Sequence, residues 1–517
     1  MKMVSFFIAL FCAMQLQAQI EEWTVTLPGP PTAWDFNDGD GLYVTGYIKK
    51  GEVTYESYIV KCDSFGKRTT FPISIEGSVG TIPWSLDVRD GLVVVGGQTA
   101  LDQSSPTNSF SALTSRVGKW KALYKGSGRY HKVTALSISD GVYITVESQG
   151  DTTTDWDIAL LKYDSTTGDS LWVRRYDGEG RYDSPAMLCV DGEGSAIVAG
   201  TSWSSSGGYD FVTIKYDSGG TEQWVRRYDG GWSDEVVAGV TDLGGDIYIT
   251  GKSYNGDYDF VTIKYDSAGE ERWVRRYDHG ARDVPADIAI DQLGNIYVAG
   301  TMSGGDDPSQ AVVVKYDSDG HQMWAVPYIH NGDLSNKGLE IDVDDSGPYV
   351  LMESRGLSGN SYIVAKFNPV DGASVWSVRG RLGDEALGLS LDNDSSIYVV
   401  GKRGGAGFVA KYRQTEASVV EVEPIDGSMP NEFRLEQNYP NPFNPTTTIA
   451  YALQVKGKVK LSVYDLMGKE VAVLVDGIQS AGNHEVRFSG ANLTSGVYFY
   501  KLQAAEQVIT RKMMLLK

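Results

Sequence analysis

The most constraining feature of this chain is a repeat of about 50 residues. Trp172–Asp177, Trp224–Asp229 and Trp273–Asp278 all read WVRRYD, and Asp210–Ser218 and Asp259–Ser267 both read DFVTIKYDS. Followed outward, the aromatic position gives Trp23, Phe71, Trp120, Trp172, Trp224, Trp273, Trp324 and Trp376, spaced by 48 to 52 residues. A period of this length marks a propeller or a solenoid, because each unit can bury its apolar face only against its neighbours. In the clearest copy four strand-like segments, Ala286–Asp291, Asn295–Thr301, Ala311–Asp317 and His321–Tyr328, are separated by turn residues such as Ser318-Asp319-Gly320. Four short strands rich in β-branched and aromatic residues, with no helical period, are the pattern of a propeller blade.

The phase of the repeat adds a second constraint. The region opens on Trp23 with the Trp strand alone and closes on Phe408–Tyr412 with no Trp strand after it. If the N-terminal strand completes the last blade, every strand type occurs about eight times and no sheet edge stays free. The expected fold is all-β, an eight-bladed β-propeller over residues 19–413, with seven blades as the alternative if the unit around Phe71 is degenerate. Alternation puts Trp172, Arg174 and Tyr176 on one strand face, and a feature that recurs in nearly every unit reads as packing between blades. Units such as GNIYVAGT (294–301) and VVVKYDSDGHQMW (312–324) resemble the β-propeller repeats of exported Bacteroidetes-type proteins. That resemblance implies the fold and is nearly silent on activity.

Both ends of the chain read as addresses. Residues 1–18 have the form of a secretory signal peptide: Lys2, an apolar run over Val4–Met14, and a small residue at Ala18, with cleavage expected between Ala18 and Gln19. No later stretch approaches the ~20 apolar residues of a spanning helix. Residues 414–431 form an acidic linker, and 432–517 read as a small all-β module with strands over Thr447–Leu453, Lys458–Tyr464, Glu470–Val475, Gly482–Phe488, Gly496–Gln503 and Val508–Leu515. The pieces LEQNYPNPFNPTTTIAY (435–451), VKLSVYDLMGKEVAVLV (459–475), LTSGVYFYKL (493–502) and TRKMMLLK (510–517) closely resemble the C-terminal sorting domain of type IX secretion substrates. The resemblance implies an Ig-like β-sandwich whose motif comprises Asn438, Tyr439, Pro440, Asn441, Pro442, Phe443, Asn444, Pro445, Gly496, Tyr498 and Lys512. It also implies the type IX machinery as partner and delivery through the periplasm to the cell surface or the medium.

Composition narrows the chemistry by exclusion. The net charge of −21 argues against nucleic acid or an anionic membrane as partner. Five His and three Cys leave little material for a transition-metal site, and Cys62 and Cys189 are expected to be unpaired thiols. No GxSxG, HExxH, P-loop or strand-borne GxGxxG is present, so no catalytic residue and no cofactor are assigned. Asp183, Asp234, Asp283, Asp333 and Asp384 recur just ahead of the inner strand, spaced by 49 to 51 residues. Two readings stay open: turn carboxylates that accept backbone N–H groups, which the repetition favours, or an arc of oxygen ligands for Ca²⁺. The links between second and third strands carry Trp156, Trp203, Tyr209, Tyr254 and Tyr258 among small polar residues, a composition suited to glycan or protein recognition. Arg129, His131, His330 and Asn331 are mild breaks in the repeat symmetry. A monomeric binding or structural module is the first expectation, and an exported polysaccharide hydrolase or lyase the second.

Overall fold

In a computed structural model the chain divides into two compact units, Gln19–Gln414 and the residues from Thr415 onward. The structure describes residues 17–416 and 434–516 apart from 38–40, 51–54, 74–79, 101–107, 116–119, 127–129, 151–155, 180, 304–307, 331–332, 357–358, 436–437, 439–440, 442, 444, 454–456, 467–468, 480–481, 491–492 and 505–506. Most of the signal peptide and the linker, with Arg129, Asn331, Tyr439, Pro440, Pro442 and Asn444, therefore lie outside the described residues. Among the described residues there are strands and no helix.

In the first unit six sheets have four strands each and one has eight. The eight-stranded sheet joins two sets of four, Pro31–Asn37 to Arg68–Ile73 and Gly80–Arg89 to Lys121–Tyr124, through a parallel pairing of Tyr55 with Gly80. The inner strands are Pro31–Asn37, Gly80–Arg89, His131–Ile138, Asp183–Val190, Asp234–Thr241, Val284–Ile290, Asp333–Asp344 and Asp384–Leu391. Each contacts the next and the last contacts the first, so the sheets close into a ring. In the last sheet the outer strand is Gln17–Leu27, which pairs with Ala406–Glu416, as the phase of the repeat requires. In the copy used above the strands are Val284–Ile290, Ile296–Met302, Gln310–Tyr316 and Gln322–Tyr328, within two residues of the sequence reading.

Among the described side chains the second and third strands of the sheets are buried on both faces. Ile197, Val198, Ala199, Val212 and Ile214 are completely covered, and the β-branched Ile and Val side chains fill the space between neighbouring sheets. The outer strand is held by the repeated Trp-x-Arg. Trp172 Nε1 donates to the Ser218 carbonyl of the next sheet (3.1 Å), Arg174 Nε donates to the Gly220 carbonyl, and the Arg174 guanidinium lies 5.6 Å from the Trp172 ring. Trp224 with Arg226 and Trp273 with Arg275 repeat the arrangement on Ser267 with Gly269 and on Ser318 with Gly320. At the seam of the ring Trp23 Nε1 donates to the Ser64 carbonyl (3.1 Å), so the N-terminal strand packs on the first sheet as the strands of Trp120, Trp172, Trp224, Trp273 and Trp324 pack on their neighbours.

The second unit packs a three-stranded sheet (Arg434–Leu435, Thr446–Leu453, Gly482–Ser489) and a four-stranded one (Glu470–Gln479, Gly457–Tyr464, Gly496–Ala504, Gln507–Leu515) around one core of Phe443, Ile449, Leu461, Val463, Tyr500 and Leu515. It is a β-sandwich.

Candidate ligand-binding face

Consecutive strands run antiparallel, so the link from second to third strand and the link from outer strand to the next inner strand emerge at the same end of the ring. The five recurrent Asp residues lie at that end. Asp183, Asp234 and Asp283 each accept a backbone N–H from the preceding link through Oδ2: Gly178 (2.8 Å), Gly230 (2.6 Å) and His279 (2.6 Å). Asp333 and Asp384 are instead ion-paired. Arg379 on an outer strand binds Asp333, and Arg403 grips Asp384 with two bonds of 2.6 and 2.7 Å. The five are therefore not one arc of equivalent groups.

The structure brings together acids that sequence spacing alone does not. Oxygens of Asp157, Asp177 and Asp183 lie within 4.8 Å of one another, as do those of Asp210, Asp229 and Asp234, and those of Asp259, Asp278 and Asp283. Each cluster takes one Asp from the start of a third strand, one from the link after the outer strand, and one from the next inner strand. The signal was present in the repeats, as the first letter of DFVTIKYDS and the last of WVRRYD, yet nothing in a single repeat says that these positions converge. Burial and the neighbouring Asp157 and Asp177 carboxylates push Asp183 up to about 6; burial with Asp210 and Asp229 likewise raises Asp234. The second Arg of WVRRYD reaches into each cluster: Arg227 binds Asp210 (3.0 Å), Arg276 binds Asp259 (2.6 Å), and Arg175 binds Asp157.

Aromatic side chains from the same links stand beside the first two clusters. Tyr209 packs edge-on against both Trp203 (5.3 Å between centroids) and Tyr182 (6.0 Å), and Arg181 lies 4.8 Å from the Trp203 ring. Trp232, on the next link, is 78 % exposed. It is held by its backbone: its N–H donates to the Tyr254 carbonyl, and its own carbonyl lies so close to Gly208 that a Cβ there would meet it at 2.1 Å. Tyr254 and Tyr258 form a further edge-on pair (5.2 Å) with Lys252 and Arg282 over Tyr258. Trp156 is half-buried in its strand. Tyr182, Trp232 and Arg181 escape a reading that considers only the second-to-third links.

A second group of acids lies along the inner strands. Asp35 accepts the Val88 N–H (2.6 Å), Asp87 the Ile138 N–H (2.6 Å), Asp287 the Ile341 N–H (3.0 Å), Glu340 the Leu389 N–H, and Asp342 the Leu391 N–H (3.0 Å). Each carboxyl thus ties one inner strand to the next. Burial pushes Asp35 up to about 7 and Asp287 up to about 6, and raises Glu340 further above the usual range. Cys189 lies on an inner strand and bonds to Thr241 of the next one, with burial pushing its thiol up to about 11. Cys62 is buried, and neither thiol forms a disulfide.

In the second unit the Asn-Pro segment is fastened to the strands around it. Asn438 is buried; its N–H donates to the Tyr500 hydroxyl and its Nδ2 to Thr447 (both 2.8 Å). Asn441 Oδ1 accepts the Met514 N–H (2.9 Å), and Phe443 bridges Leu515. Gly490 N–H donates to the Pro445 carbonyl, Gly496 opens a strand, Tyr498 donates to the Thr494 carbonyl (2.8 Å), and Lys512 lies on the last strand.

A ring of Trp-stapled four-stranded sheets followed by this sandwich defines an exported β-propeller repeat protein with a type IX secretion sorting domain. The family model described as a secretion system C-terminal sorting domain matches residues 437–516, and that of a beta-propeller repeat matches residues 273–305. The sorting domain indicates export to the cell surface or secretion. No helix among the described residues is long and apolar enough to cross a membrane. The regulatory protein FlaEY of Caulobacter vibrioides is 38% identical over 112 residues, 19% of this chain and 11% of that protein. Among solved structures, PorZ, titled an essential bacterial surface component of the type-IX secretion system of Porphyromonas gingivalis, aligns over 95% of this chain and 82% of its own at 13% identity and a TM-score of 0.26. The β-propeller domain of the Trilobed protease from Pyrococcus furiosus aligns over 65% of this chain and 95% of its own at 10% identity and a TM-score of 0.40.

Proposed function

We propose that the chain is a glycan-binding module displayed at the cell surface or released from it. Its ligand face is built from the links around Tyr182, Trp203, Tyr209 and Trp232. The exposure of Trp232 beside that aromatic cluster is the observation that carries this reading. A large aromatic ring held in water by its own backbone costs hydration free energy, and it offers an apolar platform of the kind a sugar ring covers. Carboxylates and Arg181 at its margin supply hydrogen-bond partners for hydroxyl groups, while the strong negative charge of the unit favours neutral over anionic glycans. We read the organisation as a leader over 1–18, an eight-bladed propeller over 19–413, a linker over 414–431 and a sorting domain over 432–517, acting as a monomer.

The test is a glycan array, followed by calorimetry with the best neutral oligosaccharide and with Trp232→Ala. Affinity should fall at least tenfold in the variant, with no change in melting temperature because the side chain is exposed. Unchanged binding in Trp232→Ala would refute the assignment of this face. Release of shortened products from a polysaccharide would replace binding by hydrolysis or lysis as the function.

A further inference from the structure

The charge balance of the cluster of Asp259, Asp278 and Asp283 is incomplete. Arg276 pairs with Oδ2 of Asp259 (2.6 Å), which leaves two negative charges of the three uncompensated by an ion pair. Asp259 and Asp283 are 3 % and 0 % exposed, so water does not screen them as it screens surface acids. Oδ1 of Asp259 is buried and accepts no hydrogen bond; the same holds for Oδ1 of Asp183 and of Asp234 in the two equivalent clusters. A buried carboxylate oxygen with no donor is costly and calls for a partner. We propose that these clusters are divalent-cation sites, taken by Ca²⁺ in the calcium-rich medium that an exported protein meets.

The geometry favours Ca²⁺ on three counts. Ligands at about 2.4 Å on opposite sides of one Ca²⁺ stand about 4.8 Å apart, and one oxygen from each of the three acids lies within 4.8 Å of the others. The donor set is all oxygen, which suits a hard cation. The third acid of each cluster (Asp177, Asp229 or Asp278) is exposed, so an ion has a way in and water can complete the shell. The backbone bonds to Asp283, from His279 (2.6 Å) and Ser303 (3.3 Å), leave each of its oxygens a further lone pair. Asp333 and Asp384 lie outside the proposal, because Arg379 and Arg403 already occupy them.

The experiment uses the purified full-length chain, stripped with a chelator and titrated with CaCl₂ by calorimetry, with thermal melting in parallel. The comparison is a variant carrying Asp177→Asn, Asp229→Asn and Asp278→Asn, all at exposed positions. The wild-type chain should take up about three ions, one per cluster, and melt about 3–6 °C higher at 5 mM Ca²⁺. The variant should lose most of that uptake and all of the shift while melting like the wild type in chelator. No uptake by the wild type at 5 mM overturns the proposal, as does equal uptake by the variant. The titration needs no glycan, so its outcome is separate from that of the glycan test.

Discussion

At Gly220 a hydrogen atom in place of a side chain lets two sheets meet. Its φ is +81°, in the region that favours glycine, and a Cβ would lie 2.7 Å from the Trp172 ring. Gly220→Ala should cost about 2 kcal/mol in denaturant unfolding, from the backbone strain and the displaced ring together. Gly192→Ala is the control, since nothing lies within 4 Å of the Cβ it would add, and it should be near neutral. Trp376 shows the arrangement from the other side. Its indole N–H is buried without an acceptor, because the turn that supplies a carbonyl in the other sheets is missing where the last sheet takes its outer strand from the N-terminus. Trp376→Phe should therefore be about 1 kcal/mol less destabilising than Trp172→Phe, which also loses the bond to Ser218.

The inner strands act as a unit through their carboxyl groups, and this predicts a pH dependence. Asp35, Asp287 and Glu340 have pKa values raised by burial, so between about pH 5 and 8 the folded chain holds more protons than the unfolded one. Stability must then fall as pH rises through that window. His330, lowered by burial and by Arg379, acts in the opposite sense, but it is one group against several. In chelator the melting temperature should be about 2–4 °C higher at pH 5.5 than at pH 8, and Asp287→Asn should flatten part of the slope. A slope of the opposite sign would refute the account. Of the three clusters one member each (Asp183, Asp234, Asp283) could be read from the sequence, but neither their convergence with the other acids nor the inner-strand set could be, and the reason is geometric. The strands were legible because alternation and turn residues are local, and the ring closure because the repeat starts and stops out of phase. Asp157, Asp177 and Asp183 meet only because two neighbouring sheets bring three strand ends together. Asp35 and Val88 are likewise distant in sequence and adjacent only in the ring. Trp172 illustrates the opposite case: it recurs, so its packing role was evident from recurrence alone.

For the whole molecule, charge and address are divided between the two units. Residues 432–517 carry +3 and residues 1–18 carry +1, which leaves −25 on residues 19–431. The cargo is thus more anionic than the full chain, which helps keep a surface protein soluble. Deleting 432–517 should leave the ring folded and hold it in the periplasm, as read by fractionation; surface delivery without the tail would contradict the sorting role. Deleting 19–27 should expose the edge of Ala406–Glu416 and cause self-association, visible by light scattering. That clasp also sets an order in time. The strand that emerges first from the inner membrane finds its partner only when nearly four hundred further residues have followed it, a long loop to close. Closure therefore works as an inspection of completeness. A chain cut short anywhere before the last strand has no place for its own beginning, and its seam stays open.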